Sequence, residues 1–361
     1  MRWPRRVAEA DAGVLDVAVI GGGQAGLAAG YFLRRTALRF AILDEGAAPG
    51  GAWRQGWESL TLFSPAAWSS LPGWAMPPAA EGGNPSRDDV LAYLAAYEAR
   101  YALPVRRPVR VGALRRVAEG LRLEGAGVTA RAVISATGTW SHPFIPDIPG
   151  RDSFRGVQMH SAQYRRPQDF AGQHVLVVGG GNSGAQILAE LSRHATVTWV
   201  TERPPVFLPD DVDGRVLFER ATARWQAQLE GRPPPEALGG LGNIVAVPAV
   251  REARTRGVFA HSLRPFARLE AEAAIWADGK RIPADAIIWC TGFRPALGHL
   301  APLGLQDPEG HVAVGPEGQA LAEPRLWLLG YGDWTGMASA TLAGVTRAAR
   351  GVVQGVVRAL A

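Results

Sequence analysis

The 361-residue chain exceeds the usual size of one domain, and 47% hydrophobic against 20% charged residues describes a well-packed globule of two domains. The net charge is +5, but the arginines are scattered and lack the aromatic-interleaved basic stripe that reads nucleic acid, so anionic small molecules suit this charge better. The lone cysteine, Cys290, excludes an internal disulfide, a CxxC redox pair and capture of a metalloid by three thiols.

The basic start MRWPRRVAEADAG has no apolar core of the signal-peptide kind, and no run of about 18 apolar residues follows it. A cytoplasmic protein without a membrane span is expected. VLDVAVIGGGQAGLAAGYFLRR reads as strand, glycine turn and helix, and LRFAILDEG as a second strand, which makes a βαβ opening. Residues 46–86, rich in Gly, Pro and Trp, read as a long ordered loop, and DDVLAYLAAYEARYAL as an amphipathic helix. Residues 107–138 alternate as an antiparallel meander that ends in a buried strand at 132–136. HVLVVGGGNSGAQILAELSRH and ATVTWVTER then repeat the opening unit, with glycines 179, 181 and 184 matching 21, 23 and 26. Residues 204–245 read as irregular. AAIWADGKRIPADAIIWCTGF repeats the meander on a smaller scale, and LWLLGYGDW is a last strand and turn before a C-terminal helix near 339–357.

A diphosphate concentrates negative charge, and a helix N-terminus offers unsatisfied N–H groups with a partial positive charge. In each GxGxxG loop the first glycine makes the tight turn, the second lets the phosphates approach, and the third lets helix and strand pack. One such loop is a weak signal; two, each between an apolar strand and a helix, are strong. After the second strand an acidic side chain suits ribose hydroxyls, and Asp44 stands there with Glu45 beside it. In the repeat, counting from the glycines gives Glu202, whereas aligning FAILD with VTWVT gives Thr201. Burial fixes register more tightly than helix length does, so Thr201 and Arg203 are expected to face the ribose. Arg203 favours a 2′-phosphate, hence NADPH, while Glu202 keeps NADH open.

GGGQAG, GGAW at 50–53, FRGVQMHSAQYR, GGGNSG, SATGTW and CTGF, in this order and spacing, resemble the flavin-containing monooxygenase group of two-dinucleotide-fold flavoproteins over nearly the whole chain. The family fingerprint falls on Phe154, Gly156, His160, Tyr164 and Arg165, which the resemblance makes a linker into the NADPH domain. LFSPAAWSSLPGWAMP, HSAQYRRP, DDVDGRVLFERAT and GYGDWTGMASATLAGV look most like the ArsO-type flavoproteins associated with arsenic resistance.

The resemblance implies an α/β fold of two Rossmann-like dinucleotide-binding domains. An FAD domain spans 1–150 and 301–361, and an NADPH domain, 151–300, is inserted in it. Gly21, Gly23, Gly26 and Asp44, with Gln24, Ala25 and Glu45, would hold the FAD adenosine diphosphate. Gly51, Ala52, Trp53 and Val109 would lie against the cofactor, Gly332-Asp333 would bond the ribityl chain, and the helix start at Ala340-Thr341 would face the flavin. Gly179, Gly181, Asn182, Ser183, Gly184, Thr201 and Arg203 would hold NADPH. Thr137-Gly138 and Thr291-Gly292 end buried strands at the domain crossovers.

The implied activity is an FAD-dependent, NADPH-oxidising monooxygenase that uses O2 on a small soft nucleophile: sulfur, nitrogen or trivalent arsenic. The candidate catalytic residues are Phe63, Ser64 and His160, the last organising geometry between domains rather than acting as a base. Where many relatives carry a Thr-Asn step, this chain reads Leu62-Phe63-Ser64. Phe63 excludes water but donates no hydrogen bond, which leaves Ser64 to do so. Phe63 therefore also speaks for the alternative, an NAD(P)H-dependent reductase or oxidase passing electrons to a quinone, metal or protein. A dinucleotide-binding redox sensor without turnover is the third reading. The seven histidines show no metal-ligand spacing, and Asp210, Asp211 and Asp213 read as a capped turn rather than a cation loop. A homodimer is left open.

Overall fold

The computed structural model describes residues 13–79, 82–236 and 243–361. The basic start up to residue 12, and residues 237–242 of the stretch read as irregular, lie outside it. Two compact units divide the chain: one comprises the segments up to Arg54, Pro65–His142 and Arg294–Ala361, the other Gln55–Ser64 and Pro143–Phe293.

The first unit opens with β1 (Leu15–Ile20), α1 (Gln24–Leu33) and β2 (Phe40–Leu43), then α2 (Arg87–Arg100), β3 (Val105–Arg106), β4 (Ala113–Val117), β5 (Gly120–Glu124) and β6 (Val128–Ser135). The second carries β7 (Val157–His160), β8 (His174–Val178), α3 (Asn182–Leu191), β9 (Thr196–Val200), α4 (Gly214–Leu229), α5 (Pro248–Thr255), β10 (Arg268–Glu270), β11 (Ala273–Ile275), β12 (Arg281–Pro283) and β13 (Ala286–Trp289). β14 (Leu326–Leu328) and α6 (Leu342–Leu360) return to the first.

In the first unit the sheet order is β3-β2-β1-β6-β5-β4, with β14 also beside β6. The strands around β1 are parallel and read as continuous apolar runs because both faces are covered; Val17, Ala18 and Val19 are wholly buried. β4, β5 and β6 form the expected antiparallel meander. In the second unit β7-β13-β8-β9 is all parallel, and β10-β11-β12 is a separate antiparallel sheet. No helix among the described residues is long and apolar enough to cross a membrane.

Two expectations are corrected. The fingerprint segment is not only a linker: Val157–His160 is an edge strand, paired residue for residue with Ala286–Trp289. A four-residue strand whose partner lies far along the chain leaves little local trace. The stretch read as irregular contains α4, whose first turn is capped by Asp213, Oδ1 accepting the Val216 N–H at 3.0 Å. Pro-rich flanks and a mixed polar pattern hid this helix.

Candidate functional site

The two glycine loops repeat in three dimensions. Ile20 pairs with Leu43 and Val178 with Val200, so Asp44 and Thr201 are structural equivalents and the strand-based register holds over the glycine count. A Cβ built on Gly21 (φ +104°) would sit 2.4 Å from the Ala136 carbonyl oxygen, and one on Gly179 (φ +132°) 2.2 Å from that of Cys290. A Cβ on Gly26 or Gly184 would lie 1.9 or 2.2 Å from the carbonyl oxygen of the loop's own first glycine. Those four positions are closed by backbone. The middle glycines differ: at Gly23 the nearest neighbour is the Gly51 Cα at 3.8 Å, and at Gly181 nothing lies within 4 Å. Neither α1 nor α3 has a side-chain cap or an acid in its first turn, unlike α2 and α6, which Ser86 and Thr341 cap. Free N–H groups facing open space fit a diphosphate at both loops.

In the first unit Asp44 is buried and its Oδ2 accepts from Arg107 Nε at 2.5 Å, while the Arg107 fork meets Glu98 at 2.7 and 2.8 Å. Burial works against the Arg107 charge, but the two carboxylates outweigh it and hold the guanidinium above its ordinary pKa. Asp44 Oδ2 is thus spent, and Oδ1 accepts a single long hydrogen bond, from the Gly46 N–H at 3.5 Å, which leaves it capacity for a further donor. Glu45 turns to solvent in a loose pair with Arg110. The Val109 N–H is taken by the Asp44 carbonyl at 2.8 Å, which leaves Val109 its carbonyl alone as a polar backbone group.

Gln24 joins two other expected elements: its Oε1 accepts from Trp53 Nε1 at 3.0 Å and its amide donates to the Ala340 carbonyl at 2.6 Å. Ala25 packs beneath Gly330, and Ala52 is exposed. Asp333 Oδ1 accepts the Ala338 N–H at 3.0 Å, shaping the turn before Thr341 caps α6. Gly332 (φ +100°) has open space where a side chain would project.

A buried polar network lies under Thr137. Tyr331 Oη is 2.7 Å from Thr137 Oγ1, 2.5 Å from Ser135 Oγ and 3.1 Å from the Thr137 N–H, and Ser135 Oγ is 3.0 Å from His299 Nε2. Thr137 donates to the Ala296 carbonyl, so Tyr331 must donate to Thr137 and Ser135 to Tyr331. His299 then carries its proton on Nε2 and is neutral. Burial, helped by His142, pushes its pKa down to about 4.

In the second unit Asn182 spends its side chain on Asn243 and Val245, at 3.0 and 2.9 Å, and Ser183 stands next on the first turn of α3. Thr201 donates to Ser262 Oγ at 3.0 Å, and Arg264 reaches the Glu202 carbonyl; Arg203 is exposed. Thr291 Oγ1 donates to the Phe144 carbonyl at 2.5 Å, and the Gly292 carbonyl accepts from Phe144 N–H and His160 Nε2, each at 2.9 Å.

His160, expected to organise geometry rather than to act as a base, spends its ring on backbone groups. Its Nε2 must bear the proton given to Gly292, and its Nδ1 accepts the Ala162 N–H at 3.1 Å. Both ring nitrogens serve backbone, and burial, partly opposed by Gly292, lowers the pKa. His160 is a structural tie between β7 and the Thr291-Gly292 turn. Phe63 and Ser64 stand elsewhere in this unit, at the start of α4, with the Phe63 carbonyl accepting the Gly214 N–H at 2.7 Å. Arg107, Tyr331, His299 and Ser262 escaped sequence reasoning because each acts on a partner far along the chain, and Glu98 because its role follows from that of Arg107. Among the described residues no cluster of three or more His, Cys, Asp or Glu side chains could hold a metal.

Two βαβ cradles on parallel sheets, each open at its middle glycine, define a flavoprotein with two dinucleotide-binding domains and an FAD-dependent NAD(P)H oxidoreductase of the flavin-monooxygenase kind. The chain belongs to the pyridine nucleotide-disulphide oxidoreductase family, which it matches over residues 18–216. It is similar to a flavin-containing monooxygenase from Stenotrophomonas maltophilia, with 54% identity, a TM-score of 0.87, and 96% of this chain and 99% of that one covered. An uncharacterized CzcO-like oxidoreductase of Geobacillus kaustophilus is 31% identical over 288 residues, 78% of this chain and 81% of that protein. A Baeyer-Villiger monooxygenase of Streptomyces coelicolor is 28% identical and shares 85% of this chain and 68% of its own length. The disulphide chemistry in the family's description has no counterpart here: the one cysteine cannot form a pair, and burial pushes its thiol up to about 12.

Proposed function

We propose that the protein oxygenates a small soft nucleophile, with FAD in the Gly21 cradle and NADPH in the Gly179 cradle. The overall balance is substrate, O2, NADPH and a proton giving the oxide, water and NADP⁺. The observation that carries this reading is the repeated cradle with different residues at the same station, Asp44 in one and Thr201 in the other. An acid suits free ribose hydroxyls and repels a 2′-phosphate; a hydroxyl with Arg203 nearby suits the phosphate. When bound, the two cofactors supply transfer of two electrons from NADPH to flavin and activation of O2.

The chain's own part is binding, orientation and exclusion of water. Gly21, Gly23 and Gly26 with the start of α1 would take the FAD diphosphate and Asp44 Oδ1 its ribose. Trp53, steadied by Gln24, would wall the cofactor, Gly332-Asp333 would bond its ribityl chain, and the start of α6 would favour negative charge near the flavin. Gly181, Ser183, Thr201 and Arg203 would hold NADPH. Phe63 would keep water from the reacting centre and Ser64 would donate the hydrogen bond there.

Sulfur and nitrogen nucleophiles are the first substrates to test; trivalent arsenic rests on the resemblance of the 62–77, 160–167, 210–222 and 330–345 segments alone. The test is consumption of NADPH and O2 by FAD-loaded protein with a thioether, an amine or arsenite, and identification of the oxide. Turnover that always ends in hydrogen peroxide favours the reductase or oxidase reading, to which Phe63 lends itself.

A further inference from the structure

The segment Gln55–Ser64 is flanked on both sides by sequence of the first unit, yet it belongs to the body of the second. Three fastenings explain this. The Arg165 guanidinium donates to the Gln55 carbonyl at 2.8 Å, and the Arg165 carbonyl accepts the Glu58 N–H at 3.0 Å. Ser59 Oγ donates to Glu190 Oε1 at 2.5 Å, and Tyr164 Oη donates to Glu190 Oε2 at 3.1 Å. Gly214 N–H donates to the Phe63 carbonyl at the far end.

Between these ties Trp57 is 3% exposed and lies edge-on to Tyr164, with ring centroids 6.3 Å apart. Leu60 and Phe63 pack on the same apolar core. The seat under Phe63 is shaped for a glycine: a Cβ on Gly214 would lie 2.6 Å from Phe63 Cδ2 and 2.8 Å from Ser64 Cβ. Glu190 sits, half-buried, in the last turn of α3. Burial raises its pKa, and the hydroxyls of Ser59 and Tyr164 oppose that rise. One carboxyl group thus gathers a hydroxyl from the donated segment and one from the fingerprint tyrosine.

We propose that Glu190 is a positioning residue for oxygen transfer: through Ser59 and Tyr164 it seats Phe63 and Ser64 on the unit that carries the second cradle, so that this unit sets how the two side chains stand during turnover. The proposal rests on the proposed function, in which Phe63 and Ser64 shield and polarise the reacting centre. It explains the fingerprint's tyrosine and arginine as fasteners of that segment. Release of the clamp lets the segment loosen and admits water, so NADPH is spent on peroxide instead of product.

The experiment compares the full-length, FAD-loaded protein with Glu190→Ala, Glu190→Gln, Tyr164→Phe and Ser59→Ala. Two readouts are taken: amide hydrogen exchange of peptides covering 55–64 and β1, and the fraction of NADPH oxidation that ends as hydrogen peroxide. Glu190→Ala should speed exchange over 55–64 by about tenfold and leave β1 unchanged. It should at least roughly double the peroxide fraction, with FAD content and NADPH KM held within about twofold. Glu190→Gln, which keeps one acceptor, should fall between. If Glu190→Ala does not fold, the two hydroxyl deletions give the same readings. Exchange that matches wild type overturns the proposal. So does a fall in kcat with an unchanged peroxide fraction, since a merely structural role predicts that. A wild-type protein that makes no oxide from any substrate removes the proposed function itself, and the exchange readout then decides the seating separately.

Discussion

Asp44 and Thr201 occupy one station in two copies of the same unit. Asp44 follows Leu43, whose carbonyl accepts the Gly21 N–H at 2.8 Å, and Thr201 follows Val200, whose carbonyl accepts the Gly179 N–H at 2.8 Å. With like backbone and different side chains, each cradle would take its own diphosphate and the two would differ at the ribose. Arg203→Ala should therefore raise the KM for NADPH by about tenfold and leave that for NADH nearly unchanged, since a phosphate loses a guanidinium and a hydroxyl loses nothing. Steady-state rates with both dinucleotides read the ratio directly. Equal loss for both would remove Arg203 from the 2′ position.

The middle glycines separate ligand binding from folding. Gly23→Ala and Gly181→Ala meet nothing closer than 3.8 Å and need no left-handed backbone, so both variants should fold with thermal midpoints near wild type. Gly23→Ala should purify poor in FAD, and Gly181→Ala should keep its FAD and lose at least about tenfold in NADPH affinity. Gly26→Ala and Gly184→Ala, with a Cβ 1.9 and 2.2 Å from a carbonyl oxygen, should fail to fold. Visible spectra and circular dichroism of the four variants check this.

Arg107 joins two carboxylates in a nearly dry place, its side chain 10% exposed and those of Asp44 and Glu98 9% and 17%. Arg107→Ala leaves both without a partner and should cost about 3 kcal/mol of stability. Arg107→Lys should recover only part, because an ammonium cannot fork onto Glu98 while reaching Asp44. Chemical denaturation of the three proteins gives the order.

His299 should make the first unit acid-sensitive. An unfolded histidine takes its proton near 6.5, whereas the buried one resists until about 4. Because the folded pKa is the lower, the unfolded chain binds the extra proton in that window, and stability falls as pH drops from 6.5 towards 4. The full loss is about 3 kcal/mol. His299→Gln can still donate to Ser135 without titrating, so its stability between pH 7 and pH 5 should fall less than that of wild type. Equal slopes would mean that His299 does not carry the effect.

Much of this arrangement is legible in the sequence. The two strand-glycine-helix units are local, and their apolar strands set a register that burial enforces, which is why Thr201 could be chosen over Glu202. The meander at 113–135 is visible for the same reason. What is hidden depends on partners far apart. Arg107 meets Asp44 across 63 positions, and Tyr331 reaches Ser135 across 196. Ser59 reaches Glu190 across 131 positions, so nothing near residues 55–64 shows that they belong to the second unit. His160 is legible as an organiser of geometry rather than a base, but the backbone groups it ties, Gly292 and Ala162, show only in the fold.

If one chain holds both cofactors, NADPH must reduce the bound flavin. The decisive measurement is anaerobic addition of NADPH to the purified protein, followed by its visible spectrum. A yellow protein with about one FAD per chain is expected, whose oxidised-flavin bands bleach on NADPH and return on admission of air. A colourless chain that takes up no added FAD, or bound flavin that NADPH leaves oxidised, would contradict it.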